Sequence, residues 1–264
     1  MRDFYASRSA PLDQADGLRR LFSPTRTRYI AVASNPHVAF ATVLIERLTS
    51  AIAATGRKLL LVDAADTAPE PHELTQLDLA AGIEELSPQI SYLAARGLPL
   101  RHVDTRGSCA GLLRQLTDAA PQADVVLVHA GASELSRLFS HRAVRPVLLA
   151  ADHAPSVTHA YAAMKVLSAR SGLMAFDLML AVGPQRTRRE HVARQIAHCA
   201  DSFLGAAVHD WVAVDPACNV AEAPDAALVR MVRKLLADDT AALEAAPPAA
   251  WQPHVPASAS LMAN

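Results

Sequence analysis

The sequence predicts an α/β fold: a mostly parallel β-sheet with helices on both faces, preceded by a short N-terminal helix. Three observations predict it. Short continuous apolar runs, such as LLLV at 59–62, VVLV at 125–128 and VLLA at 147–150, have the pattern of strands buried on both faces. Longer segments with helical spacing separate them, which is the rhythm of βαβ units. The chain is 51% hydrophobic and rich in alanine, with only 5% aromatic residues, a composition suited to Ala-rich helices packed closely on a sheet.

At 264 residues the chain is long enough for one large core. Its formal net charge of -1 argues against wholesale nucleic-acid binding. Cys109, Cys199 and Cys218 are odd in number and far apart, so they read as reduced core residues and not as a disulfide framework or a zinc site. The first 28 residues are too polar for a secretory signal, and no apolar run approaches the ~18 residues of a membrane span. The expectation is a soluble, cytoplasmic protein.

The elements follow in order. Residues 1–10 read as disordered. A helix over 13–22 has Asp13 as N-cap and Pro24 as its stop, with Ala15, Leu18 and Phe22 on one face. A linker leads to a strand at 29–33. The helix 40–55 points Val43, Leu44, Leu48 and Ile52 inward and ends at Gly56. A strand at 59–62, a helix over 71–86 and an edge strand at 98–103 come next. The helix 109–120 precedes the strand 125–128, and the strand 147–150 precedes the helix 156–169. The strand 176–182, the helix 188–203, the strand 208–214 and the helix 225–236 complete the series. The tail from Ala245 is Ala/Pro-rich and reads as unstructured.

In an open parallel sheet, ligands bind at the carboxyl ends of the strands. The first strand-to-helix turn is the natural phosphate cradle, because helix N-terminal N–H groups point there. Here that turn reads SNPHVAFAT over 34–42. A phosphate cradle needs glycines to wrap the anion and a lysine to neutralise it, and this turn has neither. Pro36 removes a donor, and Val38 and Phe40 add bulk. Each charge-assisted bond lost costs roughly 1.5–3 kcal/mol, so most of the affinity for a triphosphate is expected to be gone.

The run from Tyr29 to Asp66 nonetheless resembles the opening of MinD/ParA-family ATPases, whose deviant Walker A reads SGKGGVGKT. In that alignment Asn35 and Pro36 replace the glycine and the signature lysine. His37, Val38 and Phe40 replace glycines, and Ala41 replaces the P-loop lysine. Thr42 and Asp63 are the vestiges of the cofactor-binding set. The segment 124–132, DVVLVHAGA, is similar to the family's Walker B and switch, with His129 at the metal-side aspartate; magnesium prefers carboxylate oxygens. Gly183 and Pro184 fall where an adenine-contacting NRV run is usual. SVTHAYAAMK at 156–165 is similar to the family's SITDAYALIK. The resemblance implies a MinD/SIMIBI P-loop NTPase-like body, with ATP and magnesium as the family's cofactors. The altered residues imply a pseudo-ATPase with no cofactor and no metal.

The nonamer Asp13-Gln14-Ala15-Asp16-Gly17-Leu18-Arg19-Arg20-Leu21 resembles the DQAxxLRxL element that opens FlhG/FleN-type flagellar number regulators. In that subfamily the helix docks on the signal-recognition-type GTPase FlhF and stimulates hydrolysis. The resemblance implies a partner-binding set of Asp13, Gln14, Ala15, Leu18, Arg19 and Phe22. Ala15, Leu18 and Phe22 would anchor an amphipathic helix in a groove, and Gln14 would orient water in trans. The flagellar switch or C-ring and transcription regulators are the further partners this relationship implies.

Other features read as ordinary structure. Arg186, Arg188, Arg189 and Arg194 surround Glu190 without interleaved aromatics, so a solvated helix face is preferred to lipid or nucleic-acid binding. The helix 225–236 is amphipathic, but the chain continues through Asp238 and Asp239, which favours core packing over membrane contact. His37, His129 and His209 lack ligand spacing, and Ser133 lacks the second glycine of a nucleophile elbow. The chain thus divides into an activator helix and linker (1–28), an α/β domain (29–240) and a tail (241–264). Two competing readings are an ATPase with a non-standard loop and a partition or polysaccharide-secretion relative.

Overall fold

The computed structural model describes residues 27–140, 142–219 and 221–244. The motif from Asp13 to Leu21, and with it Asp13, Gln14, Ala15, Leu18, Arg19 and Phe22, lies outside the described residues. So does the tail from residue 245.

Eight strands form one sheet. They are β1 (Arg28–Ala33), β2 (Leu59–Asp63), β3 (Ile83–Ser87), β4 (Ile90–Ala94), β5 (Val125–Ala130), β6 (Val147–Ala151), β7 (Ala175–Ala181) and β8 (Ala207–Val214). Their spatial order is β3-β4-β2-β5-β1-β6-β7-β8. Every pairing is parallel except the β3–β4 hairpin. The helices are α1 (Ala41–Ala53), α2 (Leu98–Arg101), α3 (Ala110–Ala119), α4 (Ala132–Leu138), α5 (Ala154–Ser171), α6 (Arg186–Leu204) and α7 (Ala226–Glu244).

The central strands are buried along their whole length, as uninterrupted apolar runs require. Alternate residues enter two cores. Ala31, Leu60 and Val128 join Leu112, Leu135, Met164 and Ile196 from α3 to α6. Ile30, Leu59 and Leu127 join Leu44 and Leu48 of α1 and Leu228 and Val232 of α7. One face therefore carries α2 to α6 and the other α1 and α7. Gly172 and Gly205 close α5 and α6 at φ 66 and 64°, the left-handed conformation a helix-ending residue adopts cheaply only as glycine.

Three expectations are corrected. The stretch 71–86 is not one helix. It forms two 3-10 turns, Glu73–Gln76 and Ala80–Gly82, and then strand β3. A Cβ at Gly82 would collide with the Thr75 side chain, so the glycine lets the two turns pack. The stretch 98–103 is not an edge strand. Pro99 has no N–H to give a ladder, and Gly97, at φ 71°, turns the chain into α2. The edge is instead the β3–β4 hairpin. Finally, the last helix runs to Glu244 and not to Leu236, past the boundary placed at 240. Among the described residues, no helix is long and apolar enough to cross a membrane.

Candidate functional site

The carboxyl ends of β1, β2 and β5 converge on the loop 34–40. Sheet register sets Asp63, the last residue of β2, directly beside His129 of β5. The His129 Nδ1 lies 2.9 Å from Asp63 Oδ1. A carboxylate can only accept, so Nδ1 carries the proton of this bond. Asp63 Oδ1 also accepts the Ala65 N–H at 3.3 Å. The His129 side chain is 5% exposed and that of Asp63 22%. The opposite ring atom of His129, Nε2, has no hydrogen-bond partner among the described residues.

The loop is organised by Asn35, which is only 3% exposed. Its amide donates to the carbonyls of Leu149 (2.9 Å) and Ser156 (3.0 Å) and to the Ser156 hydroxyl (3.1 Å). Its carbonyl oxygen accepts the His37 N–H at 3.1 Å. The Ser156 hydroxyl in turn accepts the Ala151 N–H at 2.8 Å. One side chain thus ties the end of β1 to the end of β6 and the start of α5.

The loop's backbone turns on itself. The Val38 N–H donates to Asn35 O (3.0 Å) and the Ala41 N–H to Val38 O (3.2 Å). The Val38 side chain is buried beside α1, while Phe40 is 56% exposed. No non-glycine residue among those described has a positive φ, and 34–42 contains no glycine. An anion nest requires alternating right- and left-handed residues, so this loop has no nest. Three N–H groups, those of His37, Val38 and Ala41, are used inside the loop.

A cavity of about 140 Å³ remains between the loop and the end of β2, lined by Ser34, Ala39, Thr42, Asp66, Thr67 and His129, among others. Thr42 thus faces the cavity, and Asp63 stands behind it as the partner of His129. Burial pushes the Glu134 carboxyl up, opposed by the Gly131 N–H that it accepts and reinforced by the charge of Asp66. Tyr92 is pushed up to about 12 by burial and by the carboxylates of Asp63 and Glu84. At the outer rim, His37 and His159 meet edge to face, 5.7 Å between centroids. Burial, and then the neighbouring His37, push His159 down, against a bond with the Ser34 backbone. Among the described residues no group of three His, Cys, Asp or Glu side chains could hold a metal ion.

Sequence reasoning treated Asp63 and His129 separately and missed their pairing, together with the Asn35 anchor and the His37–His159 contact. The available signal was positional: Asp63 and His129 each stand at the end of an apolar strand. The arginines around Glu190 lie largely on the surface, as a solvated helix face requires, and make local pairs. Arg188 pairs with Asp152, Arg186 with Glu190 at 2.7 Å, and Arg189 donates to Gly183 O at 2.7 Å.

No protein-family model matches the chain, and no curated protein matches it by sequence. Solved structures do match. A ParA family ATPase from Chlorobium tepidum superposes with a TM-score of 0.52 at 12% identity, over 79% of this chain and 98% of that one. The MinD cell division protein of Aquifex aeolicus gives 0.52 at 14%, over 80% and 97%. Cobyrinic acid a,c-diamide synthase from Mycobacterium smegmatis, with bound ADP and magnesium, gives 0.57 at 17%, over 82% and 96%. At such identities the likeness establishes a fold: the sheet and helices are those of MinD/ParA-type P-loop ATPases.

Proposed function

We propose that this chain is a regulator of flagellar number or placement, built on a MinD/ParA-type body that no longer uses ATP and works by protein interaction. The observation that carries the loss of nucleotide is the conformation of 34–42. A triphosphate needs several convergent N–H groups and a cation. Here three N–H groups close turns inside the loop, Pro36 has none, and no lysine is present. His129 takes the place where a magnesium-side carboxylate is expected and is bonded to Asp63.

The flagellar part of the proposal is supported by the nonamer from Asp13 to Leu21, which resembles the element that engages FlhF-type GTPases. Gln14 would orient the attacking water, Ala15, Leu18 and Phe22 would seat the helix in a groove, and Asp13 and Arg19 would meet polar groups of the partner.

Two measurements test these parts separately. Titration of the full chain with ATP and magnesium is expected to give no dissociation constant tighter than about 100 μM; a tighter one overturns the nucleotide-free reading. A peptide of residues 1–28 is expected to stimulate GTP hydrolysis by an FlhF-type GTPase, with the stimulation abolished by Gln14→Ala. A peptide without effect removes the activator role and leaves the fold as it stands.

A further inference from the structure

We propose that the segment 18–26 of this chain docks on its own α/β body, in the groove beside the edge strand β3, as an autoinhibitory contact. The docking follows from charge and position. Its regulatory meaning rests on the activator role proposed above for the N-terminal motif.

The groove has a volume of about 300 Å³, and its wall includes Ile83 and Glu85 of β3, Ser91 of β4, Ala119 and Ala120 at the end of α3, and Ala123. One cation, Lys58, stands in that wall. β3 is the last strand of the sheet, and an open edge is a ready template for another segment. Glu84, Glu85 and Leu86 are all exposed on it.

Charge favours a basic occupant. Between residues 59 and 95 the sequence holds seven carboxylates and no lysine or arginine. Asp63 is bonded to His129 and Glu70 to Arg96, whereas Glu84 and Glu85 make no ion pair among the described residues. Residues 18–26, LRRLFSPTR, are the complement: three arginines, no acid, and Leu18, Leu21 and Phe22 as apolar side chains. Exposed ion pairs are individually weak, so the apolar side chains against Ile83, Ala119 and Ala120 supply the rest.

Position names the chain's own segment. Thr27 Oγ1 donates to the Ala123 carbonyl at 3.5 Å, and the Arg28 N–H to that of Asp124 at 2.9 Å. The polypeptide therefore enters the body beside Ala123, at the groove wall. Only β5, β2 and β4 separate β1 from β3, a span of about 19 Å at strand spacing. The stretch from Arg19 to Thr27 reaches about 26 Å when extended. A tether of this kind holds the segment at an effective concentration of about 1 mM, which a basic segment of another molecule does not match. Leu18, Arg19 and Phe22 are also the residues proposed to meet the GTPase, so the segment cannot serve both surfaces at once.

Deuterium exchange of the full chain tests the docking with no partner present. Arg19→Glu with Arg20→Glu is expected to speed exchange of the amides of 83–91 and 119–123 about fivefold or more, leaving 186–214 unchanged. Adding Glu84→Arg and Glu85→Arg to that variant is expected to restore slow exchange, which a loss of folding would not do. Exchange unmoved by the first reversal, or not restored by the second, overturns the docking. Protection that falls on about tenfold dilution assigns the contact to a second copy and overturns the intrachain form. Autoinhibition has its own readout. The full chain with Glu84→Arg and Glu85→Arg is expected to stimulate an FlhF-type GTPase more strongly than the unaltered chain; equal stimulation overturns the autoinhibitory role. A peptide of residues 1–28 without effect on the GTPase would overturn the activator reading, and the regulatory meaning with it, while the docking is decided by exchange alone.

Discussion

A buried asparagine must place two amide hydrogens and one carbonyl oxygen. Asn35 does so across three elements at once, which is why this residue and not a glycine suits the turn. Asn35→Ala would remove the donor to the Leu149 and Ser156 carbonyls and the acceptor of the His37 N–H. Each such loss costs about 1–3 kcal/mol, so the variant is expected to be about 2 kcal/mol less stable in urea unfolding, with the fold retained. His159 makes a pH prediction. Its folded pKa lies below its ordinary 6.5, so the unfolded chain binds the proton more readily between those two values. The contribution to stability is therefore full above 6.5 and is lost as pH falls towards the folded value. The urea midpoint of His159→Gln should fall less than that of the parent protein between pH 7 and pH 5; equal slopes would show that the rim histidines carry no pH dependence. At this scale the sequence announced what the loop lacks, since missing glycine and lysine can be read directly. It did not announce what the loop does instead, because the partners of Asn35 lie more than a hundred residues away.

At the scale of elements, the buried strands and the long helices were legible, because uninterrupted apolar runs and helical spacing leave few alternatives. The error fell at the β3–β4 edge. Glu84 and Glu85 suit a helix surface as well as a solvated edge strand, and ISYLA at 90–94 is short. Pairing of β4 with β2 decides the matter, and such pairing is tertiary information. Helix α4 was missed because seven residues give too little periodicity. Gly82 offers a check on the revised assignment. Gly82→Ala places a methyl against Thr75, and overpacking of this kind costs about 1–3 kcal/mol. The variant is expected to melt lower, and Gly82→Ala with Thr75→Ala to recover most of the loss. Had 71–86 been one helix, alanine would have stabilised it.

For the whole molecule, the two ends of the sheet carry different work. The carboxyl ends hold the loop and the cavity. The opposite end holds Asp177, fully buried, with Arg145 Nε at 2.7 Å and His209 Nδ1 at 3.8 Å. Burial pushes the Asp177 carboxyl up, and the hydrogen bond and charge of Arg145 pull it back. Removing one member of a buried pair costs about 3–5 kcal/mol, while replacing both with apolar groups is often tolerated. Arg145→Met is expected to destabilise by about 3 kcal/mol, and Arg145→Met with Asp177→Leu to regain most of it, as read from thermal unfolding. The class of the fold was legible at this scale, but the strand order was not, since nothing local states that β1 sits in the middle. That central position gives the Asn35 anchor its last consequence. A loop sewn by buried bonds to the innermost strands has no private opening motion. In deuterium exchange, the His37 and Val38 amides should therefore keep their hydrogens about as long as the sheet interior does, behaving as core and not as a surface loop.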